Sequence, residues 1–322
     1  MTIKTRVCEM FEIEHPVFLA GMGQVAYAEV CAAVSAAGGY GTLGMAAETP
    51  DGIRAQMRQV RELTDRPFGV DLLAALPEQM IAAIDVIIEE GASSFIAGLG
   101  VPGPVIGKCH DAGVKVVSMC GRVEHATRAE EAGCDMVVAQ GTEAGGHTGK
   151  IAGMALIPQI VDAVDIPVLG AGSIVDGRGL AAALVLGADG AWVGTRFIAT
   201  REARAAVEFK DLITAKGGGD TAISRCYSGK PMRVINNAYV EEQERTPGAI
   251  ERFPAQIAKS FAAGVMNYAV EEGIDTERTC MPAGQGIGGI DQVLSARQVV
   301  ENMVAEAAEV LQRTNAMVAR NS

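Results

Sequence analysis

Residues 166–197 read IPVLGAGSIVDGRGLAAALVLGADGAWVGTRF and contain two successive strand–helix units. Each unit begins with a short apolar run, over residues 167–171 in the first and 190–194 in the second. The Ala-rich stretch 177–186 between them has helical composition, and glycines separate the elements. Strands that alternate with helices in this way are typical of a parallel sheet.

The same alternation extends through the first two-thirds of the chain. Strands are predicted at residues 16–20, 39–43, 67–72, 93–97, 114–119, 136–140, 167–171 and 190–194. Helices are predicted at residues 27–37, 51–63, 77–90, 122–132, 155–164 and 177–186. Eight such units in roughly 200 residues fit a closed (β/α)8 barrel. A doubly wound open sheet is the alternative, but the turn after the first strand lacks the third glycine of a dinucleotide-binding fingerprint.

The alternation stops after Thr200. Residues 201–280 combine polar stretches with helical pieces such as 256–270, which predicts a helical lobe inserted in the barrel as a lid. Residues 1–200 and 281–322 are assigned to the barrel, with its eighth helix near 296–314. The expected fold class is therefore α/β, a (β/α)8 TIM barrel with an inserted helical lobe near the C-terminus.

Composition limits the possible partners. The 322 residues carry a net charge of −12, which argues against nucleic acid because phosphates demand a basic face. No uninterrupted apolar run reaches the length of about 18 residues that a membrane span needs. Residues 1–16 are charged throughout, so no signal peptide is expected. The 7 cysteines are scattered without a CxxC pair, which predicts reduced thiols in a cytoplasmic protein.

Two glycine loops follow the last two predicted strands. Gly172 and Ser173 come after the seventh strand, and Gly194 and Thr195 come after the eighth. Active sites of barrels form at these strand ends, where glycines let backbone N–H groups approach phosphate oxygens. Each loop alone could be an ordinary tight turn. Two such loops on adjacent strands favour a phosphate-binding site.

A histidine bracketed by glycines follows the sixth strand. His147 is unlike a core residue in this setting, and its ordinary pKa suits a general acid or base. It could equally donate a hydrogen bond to a ligand. His15 precedes the first strand, away from the catalytic end, and His110 and His125 are assigned to solvated or capping positions on helices. No pair of histidines has metal-ligand spacing, so no metal site is expected.

Three other strand ends carry candidate residues. Met22 lies between glycines, which indicates close approach of a planar ligand. Asp71 ends an apolar strand, and an acid in that position needs a partner or a ligand. Cys120 follows the fifth strand, but no sequence neighbour would lower its pKa, so a nucleophilic role is not favoured.

These residues belong to segments that resemble the FMN-dependent nitronate monooxygenase-like proteins, formerly called 2-nitropropane dioxygenases. That family also contains FMN-dependent enoyl-ACP reductases and NADH:quinone reductases. The resemblance covers nearly the whole chain, in segments 14–17, 21–22, 32–39, 65–70, 143–149, 166–168, 176–179, 186–190, 194–197 and 283–285. The motifs GGHTG at 145–149 and GTRF at 194–197 are specific to the family but not to one activity.

The resemblance implies that FMN lies across the strand ends. It implies that the phosphate is held by Gly172, Ser173, Gly194 and Thr195, that Met22 contacts the flavin through its backbone, and that Gln140 and Gly145 line the ring or the ribityl side. His147 would be the catalytic histidine.

Two positions depart from the family pattern. Asp71 is grouped with the cofactor-binding residues, but the family usually has Asn there, as in PFGVN. A carboxylate beside the flavin would disfavour an anionic reduced ring unless it is protonated or turned away. Ser173 replaces the second glycine of the usual AGG loop, and its hydroxyl could donate a hydrogen bond instead.

The resemblance implies two mechanisms for one pocket. In the main expectation, an alkyl nitronate reduces FMN and dioxygen completes the oxidation, with His147 able to deprotonate the parent nitroalkane. In the alternative, NADH or NADPH reduces FMN, which then reduces an enoyl thioester or a quinone. A flavin-binding protein without catalysis remains open as a third possibility. An IMP-dehydrogenase-like barrel is a further rival. Its chemistry needs a cysteine in the loop after the sixth strand, and here that loop carries His147 and no cysteine.

The inserted lobe is expected to set the substrate. Lys230 and Arg233 in this lobe could recognise a phosphate or carboxylate of a large substrate, such as a CoA thioester, or could be solvated charges. The expected partner is a small molecule (nitronate, enoyl thioester or quinone), with no nucleic acid and no membrane. A homodimer is one assembly that fits this expectation.

Overall fold

The computed structural model of the protein describes residues 3–268, 270 and 272–317. Its strands are β1 (Val17–Leu19), β2 (Gly41–Gly44), β3 (Phe68–Leu73), β4 (Ser94–Gly98), β5 (Lys115–Cys120), β6 (Met136–Gln140), β7 (Gly146–His147), β8 (Val168–Ala171), β9 (Gly190–Val193), β10 (Thr221–Ser224) and β11 (Met232–Ile235). Eight of them form a parallel sheet in the order β1-β9-β8-β6-β5-β4-β3-β2. A parallel bridge between Phe18 and Tyr40 joins β1 to β2 and closes the barrel. The predicted (β/α)8 fold is confirmed.

The helices surround this barrel and form most of the inserted segment. They are α1 (Arg6–Met10), α2 (Ala28–Ala36), α3 (Pro50–Leu63), α4 (Pro77–Glu89), α5 (Gly103–Asp111), α6 (Val123–Glu131), α7 (Gly153–Val161), α8 (Gly177–Val185), α9 (Thr195–Ile198), α10 (Val207–Ala215), α11 (Ala238–Arg245), α12 (Ala255–Ala262) and α13 (Ala296–Ala316). The Thr49 hydroxyl caps α3 by accepting from the Gly52 N–H, with Pro50 in the first turn. Helix α13 packs against α8 and α2, the position of the eighth barrel helix.

Large side chains close the N-terminal end of the barrel. Phe11, which follows α1, makes an edge contact with Phe18 at 5.3 Å between ring centroids. Above them, Tyr40 and Ser94 are joined by a hydrogen bond of 2.6 Å between their hydroxyl oxygens. The inner layer continues with Ile96, Val117, Met136, Leu169 and Trp192. Because this end is filled, only the C-terminal ends of the strands can open onto a ligand cavity.

The inserted segment 201–280 contains α10, α11 and α12, as expected, and also two strands that were not predicted. Strands β10 and β11 form an antiparallel pair, and β11 pairs with β7 from the barrel. Helix α12 ends at Ala262, so the helix predicted over 256–270 is too long. Gly264, at φ 72°, stops it in the way typical of a helix C-terminus. The described residues leave out residue 269 of that predicted helix and residues 1, 2 and 318–322 of the predicted barrel. The domain boundaries at 200 and 280 stay a prediction.

The structure bears on two further expectations. All 7 cysteines are buried and unpaired. Within the described ranges, no helix has both the length and the apolar character needed to cross a membrane.

Candidate active site

A large cavity opens at the C-terminal ends of the barrel strands, beneath the inserted segment. Its volume is about 1440 Å³, which exceeds the range of roughly 300–1,000 Å³ typical of a site for one small ligand. The structure brings all of the sequence-predicted site residues to its wall, namely Met22, Asp71, Gln140, Gly145, His147, Gly172, Ser173, Gly194 and Thr195. The cavity therefore has room for a cofactor together with a second ligand.

The two glycine loops present unused backbone donors to this cavity. In the described part of the chain, the N–H groups of Gly172, Ser173, Gly194 and Thr195 donate to no other group. Gly172 and Ser173 have φ values of 116° and 53°, a left-handed turn that is unusual for a serine. The Ser173 hydroxyl donates to the Glu143 carbonyl at 3.2 Å, and the Thr195 hydroxyl accepts from the Gly284 N–H at 3.0 Å. These hydroxyls hold loops together, and the backbone is left to bind an anion.

The loop after β6 is held firmly in place. The Glu143 carboxylate accepts from the Gly153 N–H at 2.9 and 3.1 Å, at the first residue of α7. On the other side, the loop lies against residues 283–284, where a Cβ on Gly145 would be only 2.7 Å from the Ala283 carbonyl carbon. This close packing requires glycine at position 145 and fixes the strand that carries His147.

His147 lies in β7 and is oriented at both its backbone and its ring. Its carbonyl accepts from Gln140 Nε2 at 2.6 Å, and its Nε2 atom lies 2.8 Å from Ser228 Oγ. Burial, with a smaller contribution from Lys230, lowers the pKa of His147 to about 4. The imidazole is therefore neutral near pH 7 and can accept a proton. Its Nδ1 atom has no hydrogen-bond partner among the described residues.

Asp71 lies on the floor of the cavity without a partner. The residue is 8% exposed, and within the described ranges its carboxyl forms neither a hydrogen bond nor an ion pair. Burial alone raises its pKa well above the usual value. A buried carboxyl in this state is a neutral acid that can donate a hydrogen bond.

The cavity mouth carries a group of cations that the sequence analysis missed. Arg122, Arg128 and Lys150 line the cavity and, in the part of the chain that the structure describes, pair with no carboxylate. His125 also lines it, half-exposed on helix α6, so its assignment to a solvated or capping position on a helix stays a prediction, and its place in the cavity wall was not predicted. It belongs to the first turns of α6, directly after β5, and the strand-end argument applied to the other loops would have found it. His110, by contrast, lies 2.9 Å from Asp135 on the outer side of the barrel.

Three candidates from the sequence remain to be placed: Arg233, Lys230 and Cys120. Arg233 donates to the Thr142 carbonyl at 3.1 and 3.0 Å and to the Thr221 hydroxyl at 3.0 Å, so it ties the inserted segment to the barrel. Lys230 does line the cavity, and its Nζ lies 4.4 Å from the centroid of the Phe253 ring. Burial raises the pKa of the Cys120 thiol to about 12, in agreement with the absence of a nucleophilic role.

Comparison with known proteins supports one family. The family model described as nitronate monooxygenase matches residues 4–83 and 78–306. The probable nitronate monooxygenase of Staphylococcus saprophyticus is 32% identical over 97% of this chain and 100% of its own. The (3aS,4S,5R,7aS)-5-hydroxy-7a-methyl-1-oxo-octahydro-1H-indene-4-carboxyl-CoA dehydrogenase of Rhodococcus jostii is 39% identical over 76% of this chain and 69% of its own. The solved structure of FabK from Thermotoga maritima superimposes with a TM-score of 0.91 and 34% identity, covering 98% of this chain and 100% of that one.

Proposed function

This chain belongs to the nitronate monooxygenase family of flavin-dependent enzymes, and from that premise we propose that it is an FMN-dependent oxidoreductase that oxidises alkyl nitronates with dioxygen. The observation that carries the proposal is His147, oriented by Ser228 and with Nδ1 left without a partner among the described residues, in the wall of a cavity large enough for a flavin and a substrate. A neutral imidazole can take the α-proton of a nitroalkane and so generate the nitronate within the site.

The residues on the cavity wall fit FMN. The unused N–H groups of Gly172, Ser173, Gly194 and Thr195 match a phosphate, and all four residues line the cavity. The Met22 N–H is also unused among the described residues, which suits contact with the flavin through the backbone. FMN bound there would supply the electron acceptor of the reaction.

The hydroxyl proton of Ser228 determines which ring nitrogen of His147 is basic. Ser228 Oγ has a single proton and two acceptors within reach, His147 Nε2 at 2.8 Å and the Lys230 carbonyl at 3.2 Å. When that proton goes to the carbonyl, Nε2 of His147 is the donor to Ser228 and Nδ1 is the basic atom. Gln140 fixes the histidine backbone, so the ring meets the substrate in one orientation.

The test compares a nitroalkane with its nitronate. Under anaerobic conditions, FMN-loaded protein is mixed with each compound, and loss of the oxidised-flavin absorbance is followed. His147→Ala is expected to slow reduction by the nitroalkane by about 10²–10⁴-fold, the contribution of a general base. Reduction by the nitronate, which has already lost its proton, should change far less. Equal effects on both would remove the base role, and no reduction by either would overturn the proposed reaction.

A second candidate function is NADH- or NADPH-dependent chemistry on an acyl thioester or a quinone. The observation that favours a thioester is the cavity wall, which contains Arg122, Arg128 and Lys150 and also the apolar Ile257 and Phe261 of α12. Cations suit the phosphates of coenzyme A, and the apolar side suits an acyl chain. The Rhodococcus relative is itself named for a carboxyl-CoA substrate. Rapid anaerobic reduction by a nicotinamide, with nitronates inert, would favour this candidate.

Location and assembly are part of the same proposal. The buried, unpaired state of the cysteines supports a cytoplasmic protein. A homodimer is the assembly to be tested, and light scattering on the eluting peak of a gel-filtration column would distinguish it from a monomer.

A further inference from the structure

The carboxyl of Asp71 is enclosed by glycines. A Cβ on Gly21 would lie 2.2 Å from Asp71 Cβ and 2.5 Å from Oδ2, and a Cβ on Gly98 would lie 3.7 Å from Oδ1. In the sheet, Asp71 is opposite Gly44 of β2 and Ile96 of β4. Every neighbouring element therefore leaves room for this side chain and offers it no polar partner.

No charge near Asp71 compensates for its burial. The elements packed against it contribute Gly21, Gly44, Ile96 and Gly98, none of which titrates. The titratable and charged groups elsewhere on the cavity wall are Cys120, Arg122, Glu124, His125, Arg128, His147, Lys150, Lys230 and Tyr268. In the described ranges, none of these forms a hydrogen bond or ion pair with Asp71. An ionised carboxylate would be costly here, whereas a neutral one needs only an acceptor for its proton.

A buried donor on the floor of a cofactor cavity points to an acceptor on the cofactor. We propose that Asp71 is a positioning residue that donates a hydrogen bond to bound flavin from its protonated form, so that FMN binds more weakly once Asp71 ionises. This inference rests on the proposed use of FMN. A protonated carboxyl presents one O–H donor where an amide would present N–H donors, so it can replace the Asn that the family resemblance leads one to expect. Once ionised, it can only accept, and it would repel the electron-rich edge of the ring.

The test measures FMN binding and needs no turnover. Apo-protein is titrated with FMN between pH 6 and 9, and the quenching of flavin fluorescence gives the dissociation constant. For the wild type, this constant should rise by up to about tenfold per pH unit above the titration of Asp71. Asp71→Asn keeps a donor that cannot ionise, so it should bind as the wild type does at pH 6 and keep that affinity at pH 9. Ionisation of FMN itself is common to both proteins and cancels in the comparison.

A second measurement uses only the wild type, in case the variant folds poorly. At pH 8 to 9 the phosphate, whose second pKa is about 6, is already ionised and takes up no proton. Where Asp71 of the apo-protein is ionised, binding of FMN in this range should therefore consume up to one proton per site, which is measurable by calorimetry in buffers of different ionisation enthalpy.

Two results would overturn the inference. Parallel pH profiles for wild type and Asp71→Asn across the pH at which Asp71 of the apo-protein ionises, with tight FMN binding throughout, would overturn it alone, as would the absence of proton uptake by the wild type above that pH. Failure of both proteins to bind FMN at any pH would overturn the proposed function as well.

Discussion

His147 Nε2 lies 2.8 Å from Ser228 Oγ, and this contact joins the barrel to the inserted segment at the candidate active site. The two residues are 81 positions apart in sequence, and they are brought together because β11 pairs with β7, with Met232 opposite His147. The inserted segment thus contributes a side chain to the candidate active site as well as covering it.

Removal of the Ser228 hydroxyl should disorient the imidazole. Ser228→Ala is expected to lower the rate of nitroalkane oxidation by about tenfold, a part of what a well-placed general base contributes. Oxidation of the preformed nitronate and the affinity for FMN should stay close to wild type. The matched control is Ser224→Ala, because the Ser224 hydroxyl is also buried but accepts from the Cys226 N–H at 3.0 Å, away from the cavity. Equal losses in both variants would indicate a general effect on the inserted segment.

The lowered pKa of His147 has a consequence for stability. The folded protein holds this ring neutral down to about pH 4, whereas an unfolded chain binds the proton near pH 6.5. The unfolded state therefore binds more protons in that window, and stability should fall as pH decreases from about 6.5 to 4. His147→Gln, which cannot titrate, should show a shallower fall in Tm over the same range. Identical slopes would mean that the ring is not buried as a neutral group.

The barrel could be predicted from the sequence because its pattern is local. Each strand and helix is specified by a run of apolar residues and a glycine, and the observed strands begin and end within two residues of the predicted ones. No range was predicted for helix α5, although His110 was placed on a helix, since Pro102, Gly103 and Gly107 weaken its helical pattern. The positions of His147 and Asp71 followed from the rule that barrel sites lie at strand ends.

The rest of the site depends on contacts between distant parts of the chain. Ser228 becomes a partner of His147 only through the pairing of β7 with β11, and no local pattern marks two-residue β7 as a strand. The structural role of Arg233 depends on the same pairing. The neutrality of Asp71 follows from which residues surround it in three dimensions, and that cannot be read from its position in one strand.

The cationic mouth of the cavity offers a test between the two candidate functions. Reversing two charges in Arg122→Glu/Arg128→Glu should weaken binding of an acyl-CoA by about tenfold or more at low salt and leave the oxidation of a small nitronate unaffected. The control Arg297→Glu/Arg313→Glu makes the same change in net charge on the outer helix α13. If both double variants weaken acyl-CoA binding equally, the effect comes from net charge and the mouth has no specific role.

Gly194 allows the phosphate site to be tested without unfolding the barrel. Its φ of −107° suits any residue, and an added Cβ would meet only Ala20 Cβ and Met22 Sδ, each at 3.5 Å, an ordinary contact distance. Gly194→Ala should therefore keep the Tm of the wild type. The methyl group would stand beside the N–H groups that are expected to bind phosphate, so FMN affinity should fall by at least about tenfold, the effect of losing roughly one charge-assisted hydrogen bond. Gly103→Ala is the control, because a Cβ there meets nothing within 4 Å and the residue lies in α5. If Gly194→Ala kept full FMN affinity at an unchanged Tm, the loop after β9 would not be the phosphate site.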